Sequence, residues 1–267
     1  MLVALTVAGG VSTAWLTGWV TLPRDAAFAW SDVGMALIAV VGSLVWIKGF
    51  RLLATRGVIQ QKLSRKLIHI TSAPIFLLSW TLFSQEASAR FVAAMVPALQ
   101  IFRLVLAGTG VSRSSEMVGS ISRSGDKKEL LGGPLWYSIV LLVATLFAWR
   151  ESTAGLFAVG MMCGGDGFAD IVGRRFGKSN PLPFNKNKSW AGSVTMFAAG
   201  WATSMFLAWV FTSLGYLQGH TYAHMCIVAA VAAFAAAVAE SLAGVVRGLD
   251  DNISVPLVAF VVSACMM

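Results

Sequence analysis

The stretch from residue 153 to 177, TAGLFAVGMMCGGDGFADIVGRRFG, decides the fold class. It begins as an apolar run and ends with two carboxylates, two guanidiniums and several glycines. The run approaches the roughly 20 residues that a helix needs to cross a bilayer. Charged groups at the end of such a helix are costly and usually mark a functional site. The stretch therefore predicts a membrane helix that carries a site at its end.

The composition of the whole chain agrees with a membrane protein. Hydrophobic residues make up 57% of the 267 residues and charged residues only 12%, whereas soluble domains carry about twice that charged share. The mean hydropathy is +0.75. The apolar residues come in solid blocks of about 20, not in the short alternating segments of a β-barrel. We therefore predict an all-α polytopic integral membrane protein.

The apolar blocks predict about eight or nine transmembrane helices in a single membrane-embedded domain, 1–267. The number is open because the last block is short and ends the sequence. No internal repeat is evident. The three cysteines lie far apart in apolar segments and indicate packing, with no disulfide or metal framework. The predicted spans are 2–22, 28–50, 67–84, 91–108, 134–149, 153–172, 191–214, 224–245 and 253–267.

The basic residues lie mainly on one side of this arrangement. The net charge is +8 and the pI is near 9.8, values that also occur in nucleic-acid-binding proteins. Here, however, 15 of the 20 basic residues fall in the loops after spans two, four, six and eight, and three fall in the other loops. This bias is typical of membrane topology, so we expect no nucleic-acid partner and a cytoplasm-like basic face.

Ionisable residues inside the spans lie toward the same face. His69 begins span three, and Arg103, Asp166, Asp170 and Glu240 lie near the basic-face ends of spans four, six and eight. Asp32 lies near the opposite face, where snorkelling or capping would account for it. The motif loops and these groups together predict one site at one membrane face.

Asp166 and Asp170 are four residues apart, so a helix would place both carboxylates on one side. Such a pair suits Mg²⁺, which binds one or two carboxylates and keeps other positions for water and phosphate. The alternative is a pair of helix-end carboxylates neutralised by Arg174 and Arg175. The flanking glycines would permit close approach of another helix or of a phosphate.

The following segment, KSNPLPFNKNKSWAGS (178–193), is basic. It could be an ordinary positive-inside loop, with Ser189 capping the next span and Gly192 in its first turn. Beside paired carboxylates, Lys178, Lys186 and Lys188 favour a triphosphate clamp.

KLSRKLIH (62–69) leads into span three. Arg65 and His69 share a helix face, and Lys66 lies beside them. Interface anchoring explains the cations, and packing would explain the histidine. Phosphate binding by this face is equally compatible with the sequence.

Further acidic residues lie in the basic-face region: Glu129, Glu240, Asp250 and Asp251, with Asn252 beside them. Glu129 could be a third metal ligand or a partner for Arg123. The cluster 250–252 could bind a second Mg²⁺ or cap the last helix.

These motifs resemble the phytol kinase branch of the CTP-dependent polyprenol kinases, a family that includes farnesol and dolichol kinases. The matching stretches run in family order through 57–267, while 1–50 carries no family motif. Two departures are Gly132, where the family often has a basic residue, and Ala243, where it often has proline. The stretches are KLSRKLIH (62–69), KELLGGPL (128–135), MMCGGDGFADIVGRRFGKSNPLPFNKNKSWAGS (161–193) and LDDNISVPL (249–257).

The resemblance implies phosphoryl transfer from CTP to a long-chain isoprenoid alcohol, with phytol as the expected substrate, giving phytyl phosphate and CDP. It also implies a plastid (chloroplast) membrane and phytol salvage toward tocopherol. The carboxylates themselves suit Mg²⁺ as the cofactor of such a transfer. Asp166 and Asp170 would hold the metal, and one of them could accept the hydroxyl proton. The expected phosphate-binding residues are Arg65, Lys66, His69, Arg174, Arg175, Lys178, Lys186, Lys188, Ser189 and Gly192.

Two other functions stay open at the level of sequence. A CTP-dependent cytidylyltransferase acting on phosphatidate would use similar carboxylates and lysines. A transporter of anionic metabolites would place ionisable residues near the bilayer midplane and often has an internal repeat. The residues alone do not distinguish phytol from farnesol or geranylgeraniol, CTP from other nucleotides, or one oligomeric state from another.

Overall fold

A computed structural model describes residues 29–112, 115–122, 125–246 and 250–267. This part of the chain is built from helices joined by short loops. Two of the helices are extended by π-helical turns, Ala144–Ala148 after α5 and Met161–Gly165 between α6 and α7. The α-helices are α1 Trp30–Thr55, α2 Gln61–Ser79, α3 Ala89–Thr109, α4 Ser115–Ile121, α5 Gly133–Val143, α6 Thr153–Gly160, α7 Asp166–Phe176, α8 Trp190–Ser213, α9 Tyr222–Leu242 and α10 Asp251–Met266.

The all-α membrane architecture is confirmed. Six helices of the described part are long and apolar enough to span a bilayer: Trp30–Thr55, Ala89–Thr109, Lys127–Ala148, Thr153–Ser179, Trp190–Ser213 and Tyr222–Leu242. The predicted total of eight or nine is not confirmed. The predicted first span, 2–22, lies outside the described residues, as do Arg113, Arg123 and Arg247 of the basic loops.

The third and ninth predicted spans correspond to helices that fall outside the set of six. Helix α2 begins at Gln61, six residues before the predicted start, and so includes the charged residues of KLSRK. Helix α10 has 16 residues, which is about 24 Å at 1.5 Å per residue and shorter than the roughly 30 Å hydrocarbon core.

Two buried polar residues, Asp32 and Arg150, hold the loop after α2 in place at the face opposite the basic loops. Asp32 is 1% exposed and accepts hydrogen bonds from the backbone N–H and the hydroxyl of Ser84, at 2.8 and 2.7 Å. Snorkelling is therefore the wrong interpretation of Asp32. The buried Arg150 guanidinium donates to the carbonyl oxygens of Trp80, Phe83 and Ser84. Both residues satisfy polar groups of the loop after α2 and are structural.

The glycines of the decisive stretch permit close helix packing. A Cβ at Gly164 would overlap the Thr203 side chain of α8, and a Cβ at Gly167 would overlap Cγ1 of Ile70 on α2. The sequence allowed either another helix or a phosphate to approach these glycines, and the structure shows another helix at both positions. The contact between Gly167 and Ile70 brings α7 against α2, and it sets the position of Asp166 and Asp170.

Candidate active site

Asp166 and Asp170 share one face of α7, as their spacing predicts. The Oδ2 atoms of both residues point toward the ammonium of Lys66 on α2, at 3.2 Å for Asp166 and 3.7 Å for Asp170. The Lys66 side chain is only 11% exposed. Two carboxylate oxygens therefore converge on one point, and a cation occupies that point.

His69, one turn beyond Lys66, completes this cluster. Its Nε2 lies 3.3 Å from Oδ2 of Asp166 and 3.1 Å from the carbonyl oxygen of Met162. Both neighbours are acceptors, so we assign the hydrogen to Nε2. The N–H group of His69 thus donates to Asp166 and orients that carboxylate.

Tyr137 on α5 holds this part of α2 in place. Its hydroxyl donates to the carbonyl of His69 at 2.9 Å and accepts from the backbone N–H of Ala73 at 3.0 Å. It therefore bridges two groups that a regular α-helix joins directly. Sequence reasoning missed Tyr137, because no spacing signal links it to a helix 64 residues away.

Arg174 binds Asp170 on the side away from Lys66. Its Nε and Nη2 donate to Oδ1 of Asp170 at 2.9 and 2.7 Å. Arg175 is exposed, and its guanidinium lies 5.4 Å from the ring centroid of Phe176. Neutralisation of the carboxylates by arginine, one of the two sequence alternatives, is thus realised for Asp170 by Arg174.

Lys188 belongs to a second ionic cluster. Its ammonium pairs with Glu240 of α9 and with Asp251 of α10, the latter at 3.1 Å. Burial lowers the pKa of Lys188, the two carboxylates raise it, and the net direction is upward. The lysine is therefore held in its charged form, and it ties the loop before α8 to the ends of α9 and α10.

The other predicted site residues have the following places. Arg65 donates to the carbonyl of Ser122 at 3.1 Å, and Glu129 accepts from the Ser122 hydroxyl at 2.8 Å. Asp250 caps α10 by accepting from the N–H of Asn252 at 2.9 Å, which confirms the capping alternative for that residue.

Ser189 caps α8 by accepting from the N–H of Gly192 at 3.1 Å, as the sequence allowed. Lys178 and Lys186 are exposed. Phosphate binding by these residues, and by Arg174 and Arg175, stays a prediction.

A cavity of about 1370 Å³ joins these groups. Its polar end is lined by residues of both ionic clusters, including Lys66, His69, Asp166, Lys188 and Asp251. Its other end is lined by apolar side chains of α1, α2, α3 and α5. Of the remaining predicted site residues, Arg65, Glu129, Asp250 and Asn252 also line it, whereas Asp170, Arg174, Arg175, Lys178, Lys186, Ser189, Gly192 and Glu240 do not.

The polar end suits a divalent cation held partly by substrate. Among the described residues, no group of three or more His, Cys, Asp or Glu side chains is arranged to hold a metal ion. Mg²⁺ commonly binds one or two carboxylates plus phosphate oxygens and water. The two carboxylate oxygens of Asp166 and Asp170 fit that mode of binding, although the Lys66 ammonium lies between them and Mg²⁺ would have to displace it.

Comparison with known proteins identifies close relatives. The chain is 46% identical to phytol kinase 1, chloroplastic, of Arabidopsis thaliana over 226 residues, which are 85% of this chain and 73% of that protein. It is 45% identical to the probable chloroplastic phytol kinases of Triticum aestivum, over 87% of this chain and 76% of the relative, and of Oryza sativa subsp. japonica, over 85% and 71%. No protein-family model and no solved structure matches the chain.

Proposed function

The chain belongs to the phytol kinase family, and we propose that it transfers the γ-phosphate of CTP to the hydroxyl of phytol, giving phytyl phosphate and CDP. It is an integral membrane protein of the plastid, since its relatives are named chloroplastic and its helices are membrane-spanning in length and composition. The phosphorylated product would serve phytol salvage toward tocopherol.

One observation carries the proposal. A single cavity has carboxylates and ammonium groups at one end and apolar side chains at the other. A long-chain alcohol has the same division, with one hydroxyl on an apolar tail. The cavity can thus hold the tail in apolar surroundings while the hydroxyl meets a nucleotide at the polar end.

The transfer would proceed by direct displacement. The hydroxyl oxygen of the alcohol attacks the γ-phosphorus of CTP, the bond from that phosphorus to the β-bridging oxygen breaks, and CDP leaves with that oxygen. The hydroxyl proton passes to a carboxylate. Asp166 is better placed than Asp170 for this role, because Asp166 lines the cavity and Asp170 does not.

The remaining residues would position and neutralise the nucleotide. Asp170, whose Oδ1 is held by Arg174, and Asp166 would together hold Mg²⁺. When bound, Mg²⁺ neutralises developing charge on the phosphate oxygens. Lys66 and Lys188 carry positive charge at the cavity wall, where it would attract the triphosphate.

A labelling experiment tests this proposal. Purified protein in detergent is given phytol, Mg²⁺ and CTP labelled either at the γ- or at the α-phosphorus. We expect only the γ-label in the lipid product, with CDP formed in equal amount. Transfer of the α-label with release of pyrophosphate, or no transfer to any isoprenoid alcohol, would refute the proposal. ATP and GTP in parallel reactions test the nucleotide preference.

A further inference from the structure

We propose that the apolar end of the cavity, between α1, α2 and α3, receives the isoprenoid tail, and that the open space beside Gly42 admits the distal part of a long tail. This inference rests on the proposed function and names the residues that select the alcohol.

The path of the tail follows α2. Residues at three- and four-residue spacing along this helix line the cavity from Lys66 and His69 through Ser72, Ile75 and Ser79. Thirteen residues of helix span about 20 Å at 1.5 Å per residue. The lining of α2 changes from charged to uncharged over this distance. A tail whose hydroxyl lies beside His69 would therefore extend along α2 toward the opposite membrane face.

Helix α1 forms the opposite wall, and its register against α2 is defined by side-chain contacts. Trp46 Nε1 donates to Thr71 Oγ1 at 2.8 Å, and the Ser64 hydroxyl donates to the carbonyl of Phe50 at 3.1 Å. In this antiparallel register, Gly42 lies near the level of Ile75. Ile75 is six residues beyond His69, which is about 9 Å along the helix axis.

The apolar end is open to the bilayer. Ile38 and Ile75 line the cavity, yet they are 63% and 45% exposed at the protein surface. The exposure of these two lining residues would let an alcohol dissolved in the membrane enter from the side, so its tail would not need to leave an apolar medium. Loss of tail hydration therefore contributes little to the selectivity among alcohols of different length, and the shape of the cavity determines that selectivity.

Gly42 is a position in the cavity wall where a side chain can be added without a steric clash. A Cβ at this position would meet nothing within 4 Å, although the residue lines the cavity. A large side chain there would project into the space that the distal part of a long tail needs. Replacing glycine in a helix interior also does not weaken the helix.

Chain-length selectivity tests the inference. Gly42→Phe and wild type are assayed with phytol, with farnesol, which is one isoprene unit shorter, and with geraniol, which is two units shorter. We expect the ratio of kcat/KM for phytol to that for geraniol to fall by about tenfold or more in Gly42→Phe. Gly34→Phe is the matched control: a Cβ at Gly34 also meets nothing within 4 Å, but Gly34 does not line the cavity, so the ratio should not change.

Ile75→Trp provides an independent variant from the facing helix, with the same expected loss of selectivity for the long tail. An unchanged ratio in both cavity variants, or an equal loss on all three alcohols in both, would overturn the inference. Absence of phosphoryl transfer by the wild type would instead refute the proposed function, so the two failures are distinguishable.

Discussion

Asp166→Asn separates a catalytic from a structural role for the carboxylate. The substitution keeps the size of the side chain and removes its charge. In the folded protein it weakens charge-assisted contacts with Lys66 at 3.2 Å and with His69 at 3.3 Å. Each such hydrogen bond contributes about 1.5–3 kcal/mol. Asp170 still lies 3.7 Å from the Lys66 ammonium, so that cation keeps a partner.

The expected loss of stability is therefore small, about 1–2 kcal/mol, because Asp170 still pairs with the Lys66 ammonium after Asp166 has lost its charge. This corresponds to a fall in Tm of a few degrees, at about 2–4 °C per kcal/mol for a chain of this size. The expected loss of activity is much larger. Removal of a positioned proton acceptor lowers the rate by about 10²- to 10⁴-fold, and a factor of 10³ corresponds to about 4 kcal/mol in the barrier.

The assay measures γ-phosphate transfer from CTP to phytol in detergent, and thermal unfolding by intrinsic fluorescence in the same detergent. Asp32→Asn is the matched control, because Asp32 is a buried carboxylate that accepts two hydrogen bonds at the opposite face. It should lose stability and keep its rate per folded molecule. An Asp166→Asn protein with near-normal kcat, or one whose lost activity merely follows its unfolded fraction, would refute the reasoning.

Two further substitutions test the packing and the second ionic cluster. Gly167→Ala should lower the free energy of unfolding by about 1–3 kcal/mol, because the added Cβ would overlap the Ile70 side chain. A second substitution in the same chain, Ile70→Ala, should recover part of this loss. No recovery in the double variant would contradict the packing account. Lys188→Met should destabilise by about 3 kcal/mol, because it leaves the Glu240 carboxylate, only 8% exposed, without its cation. Denaturant or thermal unfolding measures this change, and Glu240→Gln in the same chain should restore stability if the pairing is the cause.

Local spacing made parts of this site predictable. The four-residue interval between Asp166 and Asp170 implied a common helix face, and both carboxylates do point toward one cation. Ser189 at the start of an apolar block implied a helix cap, and it accepts from Gly192. Seven of the nine apolar blocks likewise correspond to described helices within a few residues of the predicted ends, since hydrophobic periodicity is a local property of the chain.

Long-range contacts were not predictable. The partner of both carboxylates is Lys66, 100 residues from Asp166, and the partners of Lys188 lie 52 and 63 residues away. The basic loops suggested phosphate binding, but nothing in one sequence specifies which helices become neighbours. The cavity itself follows from the packing of α1 on α2 and α3, so its apolar end and the role of Tyr137 emerge only in the folded structure.

The central claim is that Asp166 and Asp170 together hold a divalent cation with the nucleotide. Electron paramagnetic resonance of Mn²⁺ with purified protein and CTP measures this binding directly. Wild type should bind Mn²⁺ in a CTP-dependent manner, and Asp166→Asn and Asp170→Asn should each weaken that binding by about tenfold or more while the protein remains folded. Wild-type Mn²⁺ affinity in both variants would contradict the claim.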